Sequence, residues 1–298
     1  MSEAGGELTV AVVIASLGRP DLIDRMIERM ARQTVLPAVL LFSVTAAADL
    51  PEGFAETDRV KAVFGRKGLP RQRNAALDWL GGGYDIVVFF DDDYVPSLLS
   101  VEKVAGFFRA HADVVGATGL VLADGINTSG IGAEEAMRIV AEHDDRGDFP
   151  CEIREDRIGL YGCNMAYRGA AIGPTRFDER LALYGWQEDI DFSMALRPRG
   201  RLVMTPAFAG VHQGVKHGRT PGLRLGYSQV INPVYLAAKG TMPIGFAARL
   251  MIRNILANHL KLLRPEPWVD RRGRAKGNWL GLFDAVRGRL TPERIEEL

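Results

Sequence analysis

At 298 residues and 47% hydrophobic content the chain can bury a full core, which excludes a disordered tail or a fibrous repeat. Lys+Arg and Asp+Glu both total 37, so no net charge draws the molecule to nucleic acid. Cys151 and Cys163 form neither a C-x-x-C pair nor a disulfide framework, which suits a reducing cytoplasm. The opening MSEAGGELTV lacks the basic start and apolar core of a signal peptide, and no stretch reaches the roughly eighteen apolar residues of a membrane span.

In chain order, LTVAVVIAS (8–16) reads as a strand buried on both faces. After the turn SLGRP, Pro20 suits a first helical turn, with Leu22, Ile23, Met26, Ile27 and Met30 as its apolar stripe. AVLLFSV (38–44), VKAVF (60–64) and DIVVFF (85–90) read as further strands and PRQRNAALDWL (70–80) as a helix. This βαβ alternation predicts an α/β, Rossmann-type, mostly parallel sheet flanked by helices. Residues 119–160 read as long loops with a helix around Glu134–Glu142, and strand-bearing pieces follow at 162–172 and 201–210. Between them, acids at the start of YGWQEDIDFSMALRPRG mark a helix N-terminus.

A basic helical tail begins near Gly222. From Arg249 to Lys276, eight Lys/Arg face only Glu266 and Asp270. Within it, Ile244, Ala248, Met251, Ile252, Ile255 and Leu262 share one helical face, with Arg249, Arg253, Asn254, Asn258 and Lys261 opposite. Such a helix either lies on an anionic membrane surface, through 244–276, or packs on the domain with its basic side in water.

The residues with the clearest chemistry are Asp91, Asp92 and Asp93, where VVFFDDDYVP turns away from its strand. Ligands of open parallel sheets bind beyond the carboxyl ends of the strands. Two carboxylates one residue apart can chelate a hard cation, Mn2+ or Mg2+, which removes their repulsion and attracts phosphate oxygens. A solvated acidic turn is the plainer alternative.

With these residues in view, the chain resembles the nucleotide-sugar-dependent glycosyltransferases of family 2, of GT-A fold. The resemblance rests on VAVVIASLGRPDLIDRMIERMARQ, GLPRQRNAAL, FFDDD, GCNMAYRG, WQEDIDFSMAL and HQG, in order over residues 8–215. It implies a GT-A domain over 1–221, with a nucleotide-binding half at about 8–118 and an acceptor half at about 119–221, followed by a helical basic extension over 222–298. Ala15, Ser16 and Arg19 would line the nucleotide site, and Arg71 and Asn74 would hold the nucleotide or its phosphates. Asp91 would face the ribose, Asp92 would shape the turn on that side, and Asp93 would ligate the metal with His212.

Asp189 would be the general base for an inverting displacement, with Glu188 assisting or substituting. The implied reaction transfers a hexose from a nucleotide-diphosphate sugar to a saccharide or lipid-linked saccharide, in polysaccharide biosynthesis at the inner face of the cell membrane. One departure concerns the donor's base: Ser43 and Thr45 stand where many relatives carry an acid after the second strand.

Plainer roles stay open for several of these residues. Glu188 and Asp189 could be a helix-start acid pair, Trp186 a loop anchor, Arg73 solvated or ion-paired, and His212 structural; His217 is a weaker ligand candidate. A second enzyme class fits locally, since FFDDDYV also satisfies the D-x-D-x-V pattern of haloacid-dehalogenase-like phosphatases, with Asp91 as nucleophile and Asp93 as acid/base. No G-x-G-x-x-G follows the first strand and no G-x-x-x-x-G-K-[ST] occurs, against a dinucleotide or P-loop enzyme.

Overall fold

The first apolar run becomes β1 (Val10–Ala15) because both its faces are covered: Val10, Val12 and Ile14 belong to one buried cluster, Ala11 and Val13 to another. Residues 8–147, 149–215 and 221–298 are described, in a computed structural model of the chain. His217 lies outside the described residues. α1 (Pro20–Ala31) starts on its proline and buries Leu22, Ile23, Met26 and Met30. β2 (Val39–Val44), β3 (Val60–Phe64), α2 (Leu69–Leu80) and β4 (Ile86–Asp91) follow. The four strands pair in parallel in the order β3-β2-β1-β4, which aligns their carboxyl ends.

Past β4 the sheet becomes mixed. β5 (Tyr94–Pro96), α3 (Ser100–Ala110), β6 (Val114–Asp124), α4 (Ala133–Arg146), the short β7 (Glu155–Asp156) and β8 (Asn164–Arg168) come next. The single turn α5 (Gly169–Ile172), α6 (Glu188–Leu196) and β9 (Arg201–His212) complete this part. The full order is β3-β2-β1-β4-β8-β6-β9-β5, with β7 on β9. β8 runs antiparallel between β4 and β6, while β6 and β9 are parallel.

One sequence expectation is corrected here. Residues 119–124, read as loop, are the second half of β6. Two glycines hide the strand: a Cβ on Gly116 would stand 2.8 Å from the Tyr167 ring, and one on Gly119 2.5 Å from that of Phe208. Register shifts after Val114, Thr118 and Val121 further disturb the alternation that marks a strand.

The C-terminal helices are α7 (Gly222–Lys239), α8 (Ile244–Leu260) and α9 (Arg271–Val286), closed by a 3-10 turn at Pro292–Glu296. They pack on the segment before α6. Leu181 shares a cluster with Leu236, Met242 and Ala247, and Ala182 shares another with Tyr227, Ile231 and Ile295. Lys239 bridges Asp178 and Asp191, each at 2.7 Å, and Asn232 donates to the Trp186 carbonyl at 2.7 Å.

α8 faces differently from the sequence expectation. Asn258 is buried and bonded to Gln229 and Asn278, and Asn254 accepts from Gln229, whereas Ile252 and Leu256 point to solvent. The helix is rotated by roughly a quarter turn from the face that hydrophobicity alone selects, because the buried amides find partners on α7 and α9. Arg249 and Arg253 stand in water.

α7 and α9 approach closely through glycines. A Cβ on Gly277 would lie 2.6 Å from the Tyr227 backbone nitrogen, and one on Gly281 2.9 Å from Val230 Cβ. Gly277→Val is therefore expected to cost about 1–3 kcal/mol by overpacking, measured by urea denaturation. Gly106→Ala on α3, where a Cβ meets open space, is expected to gain about 0.5–1 kcal/mol in the same assay. Equal stability of Gly277→Val and the parent chain would show that the helix pair is looser than its glycines imply.

Candidate active site

Where β4 ends, the three aspartates part company. Asp91 lies beside Ala15 of β1 in the parallel register, so it stands on the ligand-facing edge of the sheet. Its Oδ1 is 3.1 Å from an Arg73 guanidinium nitrogen, and its Oδ2 is 4.0 Å from His212 Nε2. Asp92 turns toward the first loop, where it accepts from Ser16 Oγ at 2.7 Å and Arg19 at 2.8 Å. Asp93 accepts from the Val215 amide at 2.7 Å and lies 3.4 Å from His212 Nε2.

Strand register explains why His212 is there. β5 pairs antiparallel with β9, setting Tyr94 opposite His212, and β6 pairs parallel with β9, setting Asp124 beside the same histidine. Asp124 Oδ1 is 3.0 Å from His212 Nδ1, while its Oδ2 accepts from the Tyr161 hydroxyl at 2.8 Å. Nε2 is thereby aimed at Asp91 and Asp93. Burial would lower the His212 pKa, but the hydrogen bonds with Asp124 and Asp93 outweigh it and raise it to about 10.

Ligand atoms of Asp91, Asp93 and His212 all lie within 4.8 Å of one another. Two carboxylates and an imidazole oriented by a further carboxylate form a donor set that fits Mn2+ or Mg2+. These residues could hold the cation, and Asp124 would steady its histidine.

Arg73 ties this group to α6. Only 2% exposed, it forms an ion pair with Asp91, a short charge-assisted contact with Glu188 and a 2.9 Å hydrogen bond to the Gly162 carbonyl. Its guanidinium also lies over Phe89 and Phe177, 5.7 and 5.5 Å from the ring centroids. Burial pushes the Glu188 carboxyl upward, and the adjoining Arg73 guanidinium pulls it back toward the ionised form. Its second oxygen makes no hydrogen bond among the described residues.

Asp189 stands in the next position, half-buried. It accepts from the Gly162 amide at 3.0 Å and from the Ile190 amide at 2.8 Å, and burial raises its pKa against those two bonds. Gly162 thus bridges Arg73 and Asp189, and Cys163 next to it accepts from the Asp91 amide at 3.3 Å. The convergence of Asp91, Asp93, His212, Glu188 and Asp189 is a property of the fold.

Two sequence candidates sit apart from this group. Arg71 pairs with Glu296 at 2.6 Å and lines a cavity of about 600 Å3 with Thr45, Arg66, Lys67 and Arg224. Asn74 is committed at both ends of its amide, donating to the Phe177 carbonyl at 2.9 Å and accepting from the Phe177 amide at 2.8 Å. Asp49 stands close to Thr45 in the loop after β2. Asp49 folds back to accept from the Thr45 amide and hydroxyl, each at 2.8 Å, and from the Gly18 amide at 2.7 Å, clamping the first two loops together. Trp186 is half-buried, its carbonyl held by Asn232.

Sequence reasoning did not single out Asp124, Tyr161 or Asp49, and it left Arg73 open. Asp124 had a signal, since it closes the apolar run VVGATGLVLAD as Asp91 closes its own.

Similarity to solved structures agrees with this architecture. S. aureus TarS 1–349 matches at 15% identity and TM-score 0.52, over 97% of this chain and 90% of that one. The fold is GT-A. A mannosyltransferase from Pyrobaculum calidifontis, PcManGT, solved with GDP-Man and Mn2+, matches at 15% identity and TM-score 0.53, over 97% of this chain and 85% of that one. Glucosyl-3-phosphoglycerate synthase from Mycobacterium tuberculosis, with Mn2+, UDP and glucosyl-3-phosphoglycerate, matches at 19% identity and TM-score 0.51, over 79% and 81%. No protein-family model and no curated protein matches the chain. The phosphatase alternative is not favoured: three strands precede β4 in a GT-A sheet, and Arg73 holds the carboxylate that would have to attack.

Removing Arg73 would leave Glu188 and Asp91 without their buried counter-charge. Arg73→Met is expected to cost about 3–5 kcal/mol, and Arg73→Met with Glu188→Gln to recover a large part of it, both read by thermal or urea unfolding. A double variant as unstable as the single one would mean that the ion pair with Glu188 is not what the arginine contributes.

Proposed function

We propose that the chain is a divalent-cation-dependent glycosyltransferase that moves a hexose from a nucleotide-diphosphate sugar to an acceptor hydroxyl with inversion. The observation that carries this reading is the meeting of Asp91, Asp93 and His212 with Asp189 across Gly162, at the carboxyl edge of a GT-A sheet. Two of the matched structures hold Mn2+ with UDP or with GDP-Man, which supports a donor of this class.

In this reading Ser16, Arg19 and Asp92 order the first loop against the nucleotide, with Ala15 presenting backbone beside it. Asp91, Asp93 and His212 hold the cation. Mn2+ or Mg2+ bound there supplies charge neutralisation for the departing nucleoside diphosphate. Asp189 receives the proton of the acceptor hydroxyl as that oxygen bonds to the anomeric carbon and the bond to the diphosphate breaks. Burial raises its pKa, the direction that strengthens a carboxylate as a base. Glu188, bound to Arg73, keeps α6 and the metal-side carboxylate in register and acts as a positioning residue.

The cavity lined by Arg66, Lys67, Arg71 and Arg224 offers cations at the ends of β2 and β3, where part of an anionic donor can lie. For the acceptor, the reading extends to a saccharide or lipid-linked saccharide in polysaccharide assembly, at the cytoplasmic face of the cell membrane.

Isothermal titration of UDP- and GDP-sugars tests the donor and the metal together. Binding should require Mn2+ or Mg2+, and Asp93→Asn should abolish the metal-promoted binding; metal-independent binding, or binding unchanged in Asp93→Asn, would sink the metal role. Asp189→Asn should bind the donor normally yet lose transfer by about 10²–10⁴-fold. An active Asp189→Asn enzyme would move the base elsewhere.

A further inference from the structure

The C-terminal helices bury the wrong residues for a free-standing domain. On α9, Ala275, Gly277, Asn278, Gly281 and Asp284 face inward, while Arg272, Lys276, Trp279, Phe283 and Val286 form an outward stripe at alternating steps of four and three residues. Trp279 is 66% exposed and Val286 89%. α8 repeats the pattern: Asn258 is buried, and Arg249, Ile252, Arg253, Leu256 and Leu260 share the exposed side. The two helices touch beside this surface, with the His259 and Trp279 rings 5.8 Å apart. Their large apolar side chains therefore lie on one face of the molecule.

That face is also cationic. Between Arg249 and Arg289 the sequence has ten Lys/Arg and three acids, a difference of +7. Each acid is already engaged. Glu266 pairs with Arg271 and Lys261, Asp270 caps α9 through the Gly273 amide, and Asp284 is buried against Arg294 and Tyr227. No helix among the described residues is long and apolar enough to cross a membrane. Apolar side chains interleaved with exposed arginine and lysine, with tryptophan at the same level, match a bilayer surface of anionic headgroups over acyl chains.

We propose that α8 and α9 form a monotopic docking face for an anionic lipid bilayer, with Leu256, Leu260, Trp279 and Phe283 entering the interface and Arg253, Arg272 and Lys276 meeting lipid phosphates. The charge excess is what selects this occupant, since a second copy of the chain would set two cationic faces against each other. The inference stands independently of the reaction assigned above.

Co-sedimentation of the full chain with vesicles tests it. Vesicles of equal parts phosphatidylcholine and phosphatidylglycerol should retain the protein, and pure phosphatidylcholine vesicles should not. Leu256→Asp with Phe283→Asp, both at exposed positions, should lower partitioning at least tenfold without moving the thermal midpoint. Arg272→Glu with Lys276→Glu should lower it by about fivefold for each cation removed. The proposal is overturned by failure to bind the anionic vesicles, or by undiminished binding of the Leu256→Asp, Phe283→Asp variant. It is also overturned if light scattering shows a dimer that this variant converts to monomer, which would make the face a self-interface.

Discussion

A single buried guanidinium holds the candidate site together. Arg73 takes counter-charges from two elements far apart in sequence, Asp91 at the end of β4 and Glu188 at the start of α6, and adds the Gly162 carbonyl between them. A buried cation is tolerable only when its desolvation is offset by close partners, so each carboxylate requires the other to stay near the arginine. Asp189 follows Glu188 directly, which is why the proposed base on α6 and the candidate cation ligands at the ends of β4 and β9 occupy one cleft. Two stacked rings, Phe177 and Phe192, 3.9 Å apart, close the space beside the guanidinium and limit its alternatives.

The C-terminal helices extend this constraint outward. Asp191, one turn along α6 from Glu188, is buried against Lys239 and Thr241, and the loop entering the helix is held through Trp186, Asp178 and Leu181. At that loop Gln187 adopts a left-handed φ of 76°, unusual for a residue with a side chain, and the surrounding contacts keep it there. The helices that carry the outward apolar face therefore also pack against the segment bearing Asp189. α7 packs on that segment and on both outer helices, so it stands between the two.

The parallel half of the fold was legible because its signal is local. β1, β2 and β4 are apolar on both faces and α1 and α2 are bounded by Pro20 and Pro70, so composition and punctuation agree over short windows. The mixed half was less so. Gly116 and Gly119 of β6 are small because Tyr167 and Phe208, distant in sequence, press on them, and no window around the strand contains that reason. Asp124 went unseen with it. Arg73 and Arg71 are alternatives on one helix turn, and only the packing shows that the former is inward and the latter paired with Glu296. α8 misled for the opposite reason: its hydrophobic pattern is genuine, but its amides have the better partners inside.

The three aspartates show how one run of identical residues acquires different chemistry. β4 fixes Asp91 at the sheet edge, and the tight passage into β5 sends Asp92 and Asp93 to opposite sides of the backbone. Asp92 is buried under Ser16 and Arg19, and burial raises it to about 6 against their pull. Burial acts on Asp93 in the same direction, but the hydrogen bonds from His212 and Val215 prevail and bring its pKa below the ordinary value. Of the three, Asp93 is thus the carboxylate held most readily in its ionised form. Asp92 already has its partners within the protein, and those partners are the first-loop residues. The division follows from the β5–β9 pairing, because a strand that continued straight past Asp91 would carry Asp93 away from His212 Nε2.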